Sequence, residues 1–433
     1  MKENIFALTT EELKNIANNL QVKIEEGLKK DGMEIKAIPT YITKSDVILN
    51  GKVLALDWGG TNFRAAVVEF KNGNPTKNRA TITKLNKDGE IEKVKEEEGK
   101  PYLEMITRPL SAVETNGFNQ QSLYAAMAFA ISKLKMLDKS VENIGYCFSY
   151  PARCEKNGDA TLLKWTKGIY ISDMRGEEEY PKDNNVVGET LLQYLNSYKD
   201  INANFKNIKV LNDTVACMFG GLGGTRYDSY IGLIVGTGTN MASLMPLNKI
   251  EKLDSKETSL IPVNLESGNF QPPYLTVIDG LVDAMSNNKG FQRFEKAISG
   301  GYLGEIFKMV FCEEKIKYDF DGGDLAKMIR NPDEYSEEKV AVARWIEDRS
   351  AKLVAASLAG LVQVLVAQEK SIKNICLAAD GSVFWSKHQN NKPYYKELVA
   401  KELQNLLPAG VSVAIIDEMS DPNLVGSAIA ALS

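Results

Sequence analysis

The sequence predicts an α/β protein built from two domains that repeat one architecture. Two stretches about half a chain apart follow the same scheme, in which an apolar β-prone run, a turn of Gly, Thr and Asn, and a second apolar run succeed one another. These stretches are Val53–Phe70 and Tyr230–Met245. With 433 residues, the chain can bury two substantial cores. Repetition of this kind is typical of a duplicated domain.

The composition, with 44% hydrophobic and 25% charged residues, is that of a globular protein. A net charge of −5 and the lack of a basic block predict no nucleic-acid partner. There is no signal-peptide pattern, and no apolar run that we expect to span a bilayer, so the prediction is a cytoplasmic protein without membrane contact. The single histidine, His388, lies far along the chain. A carboxylate is therefore the expected general base.

The elements follow in order. Residues 10–30 space their apolar side chains for one face of a helix, which Pro39 then separates from the first hairpin. Alternating Lys and Glu between residues 71 and 101 predict an extra exposed hairpin without chemistry. The segment Gln121–Met136 has the spacing of an amphipathic helix.

The turn of the first hairpin has the composition of a phosphate site. Its glycines expose backbone N–H groups, and its Thr, Asn and Arg add side-chain donors. Asp57 would repel phosphate unless Mg²⁺ lay between them, bound to Asp57 through water. An ordinary hairpin turn is the alternative for this stretch taken alone. The residues predicted to hold phosphate are Gly59, Gly60, Thr61, Asn62 and Arg64.

The second hairpin strengthens this interpretation, because Gly60-Thr61-Asn62 and Gly238-Thr239-Asn240 match letter for letter. Two phosphate hairpins in two halves predict one nucleotide held in a cleft between domains, as in actin-like ATPases and sugar kinases. The second set of predicted phosphate ligands is Gly236, Thr237, Gly238, Thr239 and Asn240.

Two further strands end in polar residues. The run Ile144–Phe148 ends at Ser149, and the run Ile208–Leu211 ends in Asn212 and Asp213 before a helix begins. Ligands of open α/β sheets bind beyond the carboxyl ends of strands, so these side chains are candidates for a site. Helix capping is the alternative role for Ser149 and for Asp213.

Together these segments resemble the hexokinase family, with order and spacing kept from about residue 38 to residue 433. The resembling motifs are Leu56–Arg64 and Val235–Asn240 for phosphate, Phe148–Pro151 with Trp165–Gly168 for sugar, Leu211–Thr214 for catalysis, and further Asn264–Glu266, Phe294–Ile306 and Ala379–Val383.

The resemblance implies a two-domain actin-like ATPase fold, a duplicated ribonuclease H-like fold with an interdomain cleft. We expect a small domain of residues 46–207 plus 424–433 and a large domain of residues 1–45 plus 208–423. The implied reaction transfers the γ-phosphoryl of MgATP to the 6-hydroxyl of a hexose, most simply glucose. Apart from Asp57, the phosphates of ATP would hold the Mg²⁺. The expected state is a monomer or a homodimer.

The resemblance also implies roles for individual residues. Asp213 would be the general base, while Lys167 and Arg64 would offset negative charge. Gly381 and Ser382 would border the adenine and ribose of ATP. The implied sugar ligands are Ser149, Thr166, Lys167, Asn212, Asp213, Asn264, Glu266 and Glu295.

Three positions depart from the family. Trp58 stands where a smaller apolar residue is usual, and Leu265–Gly268 replaces the common Thr-Glu-Trp-Gly. Asp421–Gly426 replaces a turn richer in glycine. The alternatives to a glucose kinase are a kinase for another hexose or an amino sugar, and a non-catalytic sugar sensor of the same fold.

Overall fold

The computed structural model describes residues 3–43, 48–181, 184–223, 226–312, 316–387 and 394–433. His388 and the predicted domain boundary at Asp46 lie outside these ranges. The α-helices of the described residues are α1 (Thr10–Lys29), α2 (Gln120–Ile131), α3 (Gly188–Ser197), α4 (Asp213–Gly220), α5 (Val277–Met285), α6 (Arg293–Ile298), α7 (Gly300–Val310), α8 (Gly322–Arg330), α9 (Glu337–Gln368), α10 (Tyr394–Leu406) and α11 (Pro422–Ala431).

The strands in the same ranges are β1 (Ile38–Pro39), β2 (Gly51–Trp58), β3 (Asn62–Lys71), β4 (Asn74–Pro75), β5 (Asn78–Leu85), β6 (Ile91–Lys100), β7 (Glu104–Pro109), β8 (Asn143–Phe148), β9 (Ala152–Cys154), β10 (Ala160–Leu162), β11 (Asn207–Leu211), β12 (Ser229–Val235), β13 (Thr239–Pro246), β14 (Leu260–Asn264), β15 (Asn374–Asp380) and β16 (Ser412–Ile415).

The chain divides into two compact units. Unit I comprises residues 38–226, 259–263 and 419–433, and unit II comprises residues 1–37, 227–258 and 264–418. Unit I differs from the predicted small domain in that it also holds residues 38–43, 208–226, 259–263 and 419–423. The largest of these additions, residues 208–226, belongs to unit I because β11 pairs in parallel with β8 and α4 packs against α11.

The main sheet of unit I has the strand order β11-β8-β2-β3-β7-β5-β6, with β4 paired to β3. Strands β11, β8 and β2 are parallel to one another, and β2 and β3 form the predicted first hairpin. Strands β5 and β6 are antiparallel, and β6 is largely exposed, so the predicted extra hairpin is confirmed.

The sheet of unit II repeats this arrangement. Strands β12, β15 and β16 are parallel neighbours, and β12 pairs with β13 in the predicted second hairpin. Each unit therefore has three parallel strands with an antiparallel hairpin partner at one side. This repeat confirms the predicted duplicated α/β architecture.

Two predicted helices show how local signals define ends. Helix α1 begins with a capping box, in which Thr9 and Glu12 satisfy each other's backbone N–H groups, and its apolar face is buried. Helix α2 ends at Ile131, short of the predicted Met136. The chain beyond it turns more tightly, because the N–H groups of Lys133 and Leu134 bond to carbonyl oxygens only three residues back.

An aromatic cluster lies beneath the first hairpin in unit I. Trp58 is completely buried, and its Nε1–H donates to the carbonyl oxygen of Leu110 at 2.9 Å. Its ring centroid lies 5.0 Å from that of Tyr150 and 5.6 Å from that of Trp165. The large side chain at position 58 therefore fills the core of unit I, which accounts for this departure from the family.

Helix α9 is the central helix of unit II. It is long and apolar enough to cross a membrane by length and composition alone, which corrects the expectation that no such run exists. However, 78% of its most apolar window is buried inside the protein. Its one deeply buried cation, Arg349, makes a two-pronged ion pair with Asp279 of α5 at 2.7 and 2.9 Å. This pair links α5 to α9.

Candidate active site

Three strands of unit I end side by side at the edge where predicted site residues lie. Leu211 on β11, Cys147 on β8 and Asp57 on β2 are neighbours in the register of the parallel strands. Two residues further along come Asp213, Ser149 and the start of the first turn. The sheet therefore brings the predicted base, a predicted sugar ligand and a predicted phosphate turn to one edge.

Asp213 is the first residue of α4, and Asn212 is the N-cap of that helix. The N–H of Thr214 donates to Oδ1 of Asn212 at 2.9 Å and to Oδ1 of Asp213 at 2.7 Å. The hydroxyl of Thr214 also donates to Oδ1 of Asp213, at 3.2 Å. Within the described part of the chain, no hydrogen bond reaches Oδ2 of Asp213. One oxygen thus fixes the orientation of the carboxylate.

The tip of the first hairpin is open to solvent. Thr61 and Asn62 are both exposed, as a phosphate-binding turn requires. Gly60 has a φ of +110°, which side-chain-bearing residues rarely adopt. The role of this turn in phosphate binding stays a prediction.

Lys167 connects this turn to the end of β8. Its Nζ donates to the carbonyl oxygen of Gly59 at 2.8 Å and to that of Ser149 at 3.0 Å. The ammonium also lies 5.3 Å from the ring centroid of Tyr150. Thr166, a predicted sugar ligand, precedes Lys167 and is partly exposed. One positive charge thus lies beside the predicted phosphate site and a predicted sugar ligand.

The guanidinium of Arg64 is bound by two carboxylates of the protein. Its Nε donates to Oδ2 of Asp57 at 2.9 Å, and its Nη1 donates to Oδ1 of Asp421 at 2.8 Å. Burial lowers the pKa of the Arg64 guanidinium, but the two carboxylates raise it by more, so the group is firmly charged. The predicted phosphate cation is therefore shared between two carboxylates of unit I.

The second hairpin differs from the first in its turn. The last pair before the first turn is Trp58 with Phe63, whereas the last pair before the second is Val235 with Thr239. The second turn is thus one residue shorter, and Thr239 is a strand residue while Thr61 is a turn residue. The letter-for-letter match does not give equivalent positions.

The side chains of Thr239 and Asn240, predicted to hold phosphate, have partners within the protein. The hydroxyl of Thr239 donates to the carbonyl oxygen of Ile234 at 2.8 Å, and its N–H donates to Oε2 of Glu295 at 2.9 Å. The amide of Asn240 donates to Oδ1 of Asn264 at 2.7 Å. Both residues are engaged with protein groups. Within the second turn, Thr237 is exposed and Gly238 is partly exposed, whereas Gly236 is buried.

The predicted sugar ligands of unit II form one connected group. Asn264 is buried at the end of β14, and its Nδ2 donates to Oε1 of Glu266 at 2.8 Å. Oδ1 of Asn240 accepts the N–H of Ser267 at 3.1 Å. With Glu295 bound to Thr239, all three predicted acids and amides lie around the start of β13. Sequence reasoning placed Asn240 with the nucleotide, but its side chain bonds to the sugar candidate Asn264 and to the backbone of Ser267.

The candidate nucleotide residues of unit II surround Gly236. A Cβ at Gly236 would lie 3.4 Å from the Cα of Gly381, and Ser382 beside it is exposed. Sequence reasoning missed Gly300 and Gly301 at the start of α7. Their N–H groups donate to the carbonyl oxygens of Gly236 and Thr237 at 2.7 and 3.1 Å. Adjacent glycines directly before an amphipathic run were the available signal.

Two other features of the site concern metals and thiols. Within the described ranges, no three His, Cys, Asp or Glu side chains lie close enough together to hold a metal ion. Cys147 lies below the edge that carries Ser149, with its sulfur 3.7 Å from Oγ of that serine. Burial and the charge of Asp57 raise the pKa of the Cys147 thiol well above its usual value. This thiol is therefore neutral and packs as an apolar group.

Models of one protein family match both halves of the chain. A model described as Hexokinase matches residues 2–222. A second model with the same description matches residues 230–342 and 323–433. Between them these matches cover both hairpins and the candidate residues of both units.

Individual proteins show the same likeness. The chain is 28% identical to Hexokinase-1 of Saccharomyces cerevisiae, over 93% of this chain and 84% of that protein. It is 31% identical to Hexokinase-2 of Rattus norvegicus over 71% of this chain, a match that spans 31% of the rat protein. A solved hexokinase from Schistosoma mansoni complexed with glucose aligns with a TM-score of 0.73 and 23% identity, covering 99% of this chain and 96% of that one. The last likeness shows the two-domain actin-like ATPase fold.

Proposed function

Because the chain belongs to the hexokinase family and is therefore an enzyme that phosphorylates hexoses with ATP, we propose that glucose is its preferred substrate and that Asp213 is its general base. The observation that carries the proposal is the shared edge of β11, β8 and β2, with Asp213, Ser149 and the first turn in adjacent positions. The glucose bound to the Schistosoma mansoni relative supports the choice of sugar.

In the proposed reaction, the 6-oxygen of the sugar forms a bond to the γ-phosphorus while the bond from that phosphorus to the β,γ-bridging oxygen breaks. Oδ2 of Asp213 receives the proton of the sugar hydroxyl, and ADP leaves. The transition state of phosphoryl transfer is loose, so most of the acceleration comes from positioning and charge neutralisation. Lys167 is the cation best placed to supply both, because it bonds to Gly59 and Ser149 at once.

The residues at the first turn fit a magnesium nucleotide. Mg²⁺ prefers one or two carboxylates together with phosphates and water, and Asp57 is a single carboxylate beside a phosphate-type turn. When bound, the ion would neutralise charge on the β- and γ-phosphates. Asp57 would orient a water bound to that ion. The phosphates of ATP would bind the ion directly. The nucleotide would contact Gly59–Asn62, Gly236–Gly238, Gly381 and Ser382.

The proposed sugar ligands are hydroxyls, amides, carboxylates and one ammonium group. Hexose hydroxyls both donate and accept, so paired amides and carboxylates suit them. Asn240 joins the proposed set because it bonds directly to Asn264. The full set is Ser149, Thr166, Lys167, Asn212, Asp213, Asn240, Asn264, Glu266 and Glu295.

A preference for another hexose or an amino sugar is the second candidate, and one observation favours it. The hydroxyl of Ser267 is buried beside Glu266 and has no partner among the described residues. This serine belongs to the segment that departs from the family, so the wall next to a proposed sugar ligand is altered.

A coupled assay with MgATP tests both candidates. Purified protein is given glucose, mannose, fructose, galactose and glucosamine, and ADP release is followed for each sugar. We expect the highest kcat/KM with glucose. A higher value for another sugar would replace glucose by that sugar. Calorimetric binding of glucose without phosphorylation of any sugar in the panel would instead identify a sensor.

Other properties stay predictions from the sequence. We expect a cytoplasmic protein that is a monomer or homodimer and has no nucleic-acid or membrane partner. Size-exclusion chromatography with light scattering measures the oligomeric state directly.

A further inference from the structure

Arg64 lies between carboxylates from two distant parts of unit I. Asp57, on β2, binds its Nε and Nη2 through one oxygen, Oδ2. Asp421 binds its Nη1 from a segment 357 residues further along the chain. The side chains are mostly buried, with 28% of Arg64, 8% of Asp57 and 18% of Asp421 exposed. Charge-assisted contacts of this kind are strong where water is largely excluded.

Asp421 is itself held in a fixed position. Oδ2 of its carboxylate accepts hydrogen bonds from the hydroxyls of Tyr102 at 3.1 Å and Ser420 at 3.2 Å. Its backbone has a φ of +54°, in the left-handed region, and it is the N-cap of α11. That helix packs against β8 and β2. Both carboxylate oxygens of Asp421 are therefore committed, one of them to Arg64.

The carboxylate of Asp57 has two possible partners, Arg64 and the magnesium nucleotide. Under the proposed function it orients a water of the magnesium nucleotide, yet in this structure it binds Arg64. Where Oδ2 of Asp57, the oxygen that binds Arg64, turns toward the nucleotide complex, Arg64 loses its partner on β2. A guanidinium left without a counter-charge in a largely buried place is costly, and it would tend to stay with Asp57.

We infer that Asp421 is a positioning residue for the reaction, which retains Arg64 beside the first turn while Asp57 exchanges Arg64 for the magnesium nucleotide. The inference rests on the proposed function. It gives the altered 421–426 segment a part in nucleotide binding through Arg64, without contact between Asp421 and the substrate.

The test uses Asp421→Asn in the full chain. Asparagine accepts the left-handed backbone and retains an acceptor oxygen, but it lacks the charge that competes with Asp57. Asp254→Asn is the matched control, because Asp254 is exposed, has a φ of +47° and lies in unit II, whereas Arg64 and Asp421 lie in unit I. Calorimetry measures Kd for MgATP, for ATP with EDTA and for glucose.

We expect Asp421→Asn to weaken MgATP binding about tenfold, with unchanged glucose binding and unchanged or tighter binding of metal-free ATP. Simple removal of a negative charge near phosphates would tighten both nucleotide complexes, so the direction of the MgATP change is diagnostic. In an Asp57→Asn background, Asp421→Asn should have no further effect, because the competition is already lost. The control variant should bind all three ligands as the wild type does.

Arg64→Lys gives a second route to the answer, because lysine cannot bridge two carboxylates in a fixed geometry. It should show the same split between MgATP and glucose, even where Asp421→Asn folds poorly. The inference is overturned by wild-type MgATP affinity in Asp421→Asn, or by equal weakening of glucose and MgATP. If instead the wild type binds no MgATP and phosphorylates no hexose, the proposed function fails and this inference fails with it.

Discussion

The carboxylate of Asp213 is oriented through one of its two oxygens. Its Oδ1 is bound by Thr214, while the capping role at α4 belongs chiefly to Asn212. This division separates the two roles that the sequence allowed for the Asn-Asp pair. A base that is held at one oxygen has little freedom to lose when the substrate binds.

Replacement of Asp213 by Asn should therefore affect catalysis more than binding. We expect kcat to fall by at least about 10²-fold, the scale of a general base, while Kd for glucose changes only a few-fold. Steady-state assays and calorimetry measure the two quantities. Asp200→Asn is the control, because it makes the same substitution at an exposed position of the same unit. It should behave as the wild type. A near-normal kcat in the Asp213 variant would remove Asp213 from its proposed role.

Asn240 gives a second prediction at this scale. Because its amide bonds to Asn264 and its oxygen bonds to Ser267, Asn240→Ala should weaken glucose binding by about tenfold or more, with little change in Kd for MgATP. Thr237→Ala, at the exposed tip of the same hairpin, should weaken MgATP binding and leave Kd for glucose nearly unchanged. The assignment fails if Asn240→Ala weakens only the nucleotide.

At the scale of elements, the two hairpins show that identical turn sequences can have different neighbouring residues. A Cβ at Gly60 would meet Cδ of Lys167 at 2.9 Å, whereas a Cβ at Gly238 would meet Oε2 of Glu295 at 2.6 Å. A larger residue in the first turn thus disturbs a cation, and one in the second disturbs a proposed sugar ligand. The hairpins are related by duplication but serve different neighbours.

Helix α11 packs so closely against β8 that there is no room between them for one added methyl group. A Cβ at Gly145 on β8 would lie 1.8 Å from the carbonyl oxygen of Ser427 on α11. Gly145→Ala should therefore destabilise unit I by about 1–3 kcal/mol through overpacking. Gly280→Ala on α5 is the matched control, since no atom lies within 4 Å of its added Cβ. It should stabilise the helix by about 0.5–1 kcal/mol. Urea unfolding of both variants checks the opposite signs.

The ion pair between α5 and α9 predicts a dependence on pH. Burial raises the pKa of Asp279, but the charge and hydrogen bonds of Arg349 and the bonds from Thr276 outweigh this and lower it below 3.8. A lowered folded-state pKa contributes stability above the unfolded value and loses it as the pH falls through the folded value. At neutral pH, Asp279→Asn should cost about 3–5 kcal/mol, because it leaves Arg349 buried without a counter-charge.

The difference in unfolding free energy between wild type and Asp279→Asn should then shrink as the pH falls below 3.8. Denaturant titrations at several pH values measure it. Glu92→Gln, in an exposed pair with Lys84, should change stability by less than about 1 kcal/mol at any pH. A difference for Asp279→Asn that does not vary with pH would contradict the assigned ion pair.

At the scale of the whole molecule, much of the architecture could be predicted from sequence. Apolar runs of alternating or continuous pattern located both hairpins and the strands that end at Ser149 and Asp213, because those patterns reflect burial directly. The one-residue difference between the turns was not predictable, since shared letters do not fix register. The contact of Asp421 with Arg64 was not predictable either, because it joins residues far apart in the chain and carries no local pattern.

The long separation within unit I has a consequence for how the protein is made. Unit I needs residues 419–433 for α11, but about 190 residues that mostly belong to unit II are translated after Arg226 and before Met419, which at about 5–20 residues per second takes roughly 10–40 s. During that interval the surfaces of β8 and β2 that α11 covers lie open on the ribosome. Residues 419–433 therefore decide when the face of β8 and β2 beneath α11 is covered.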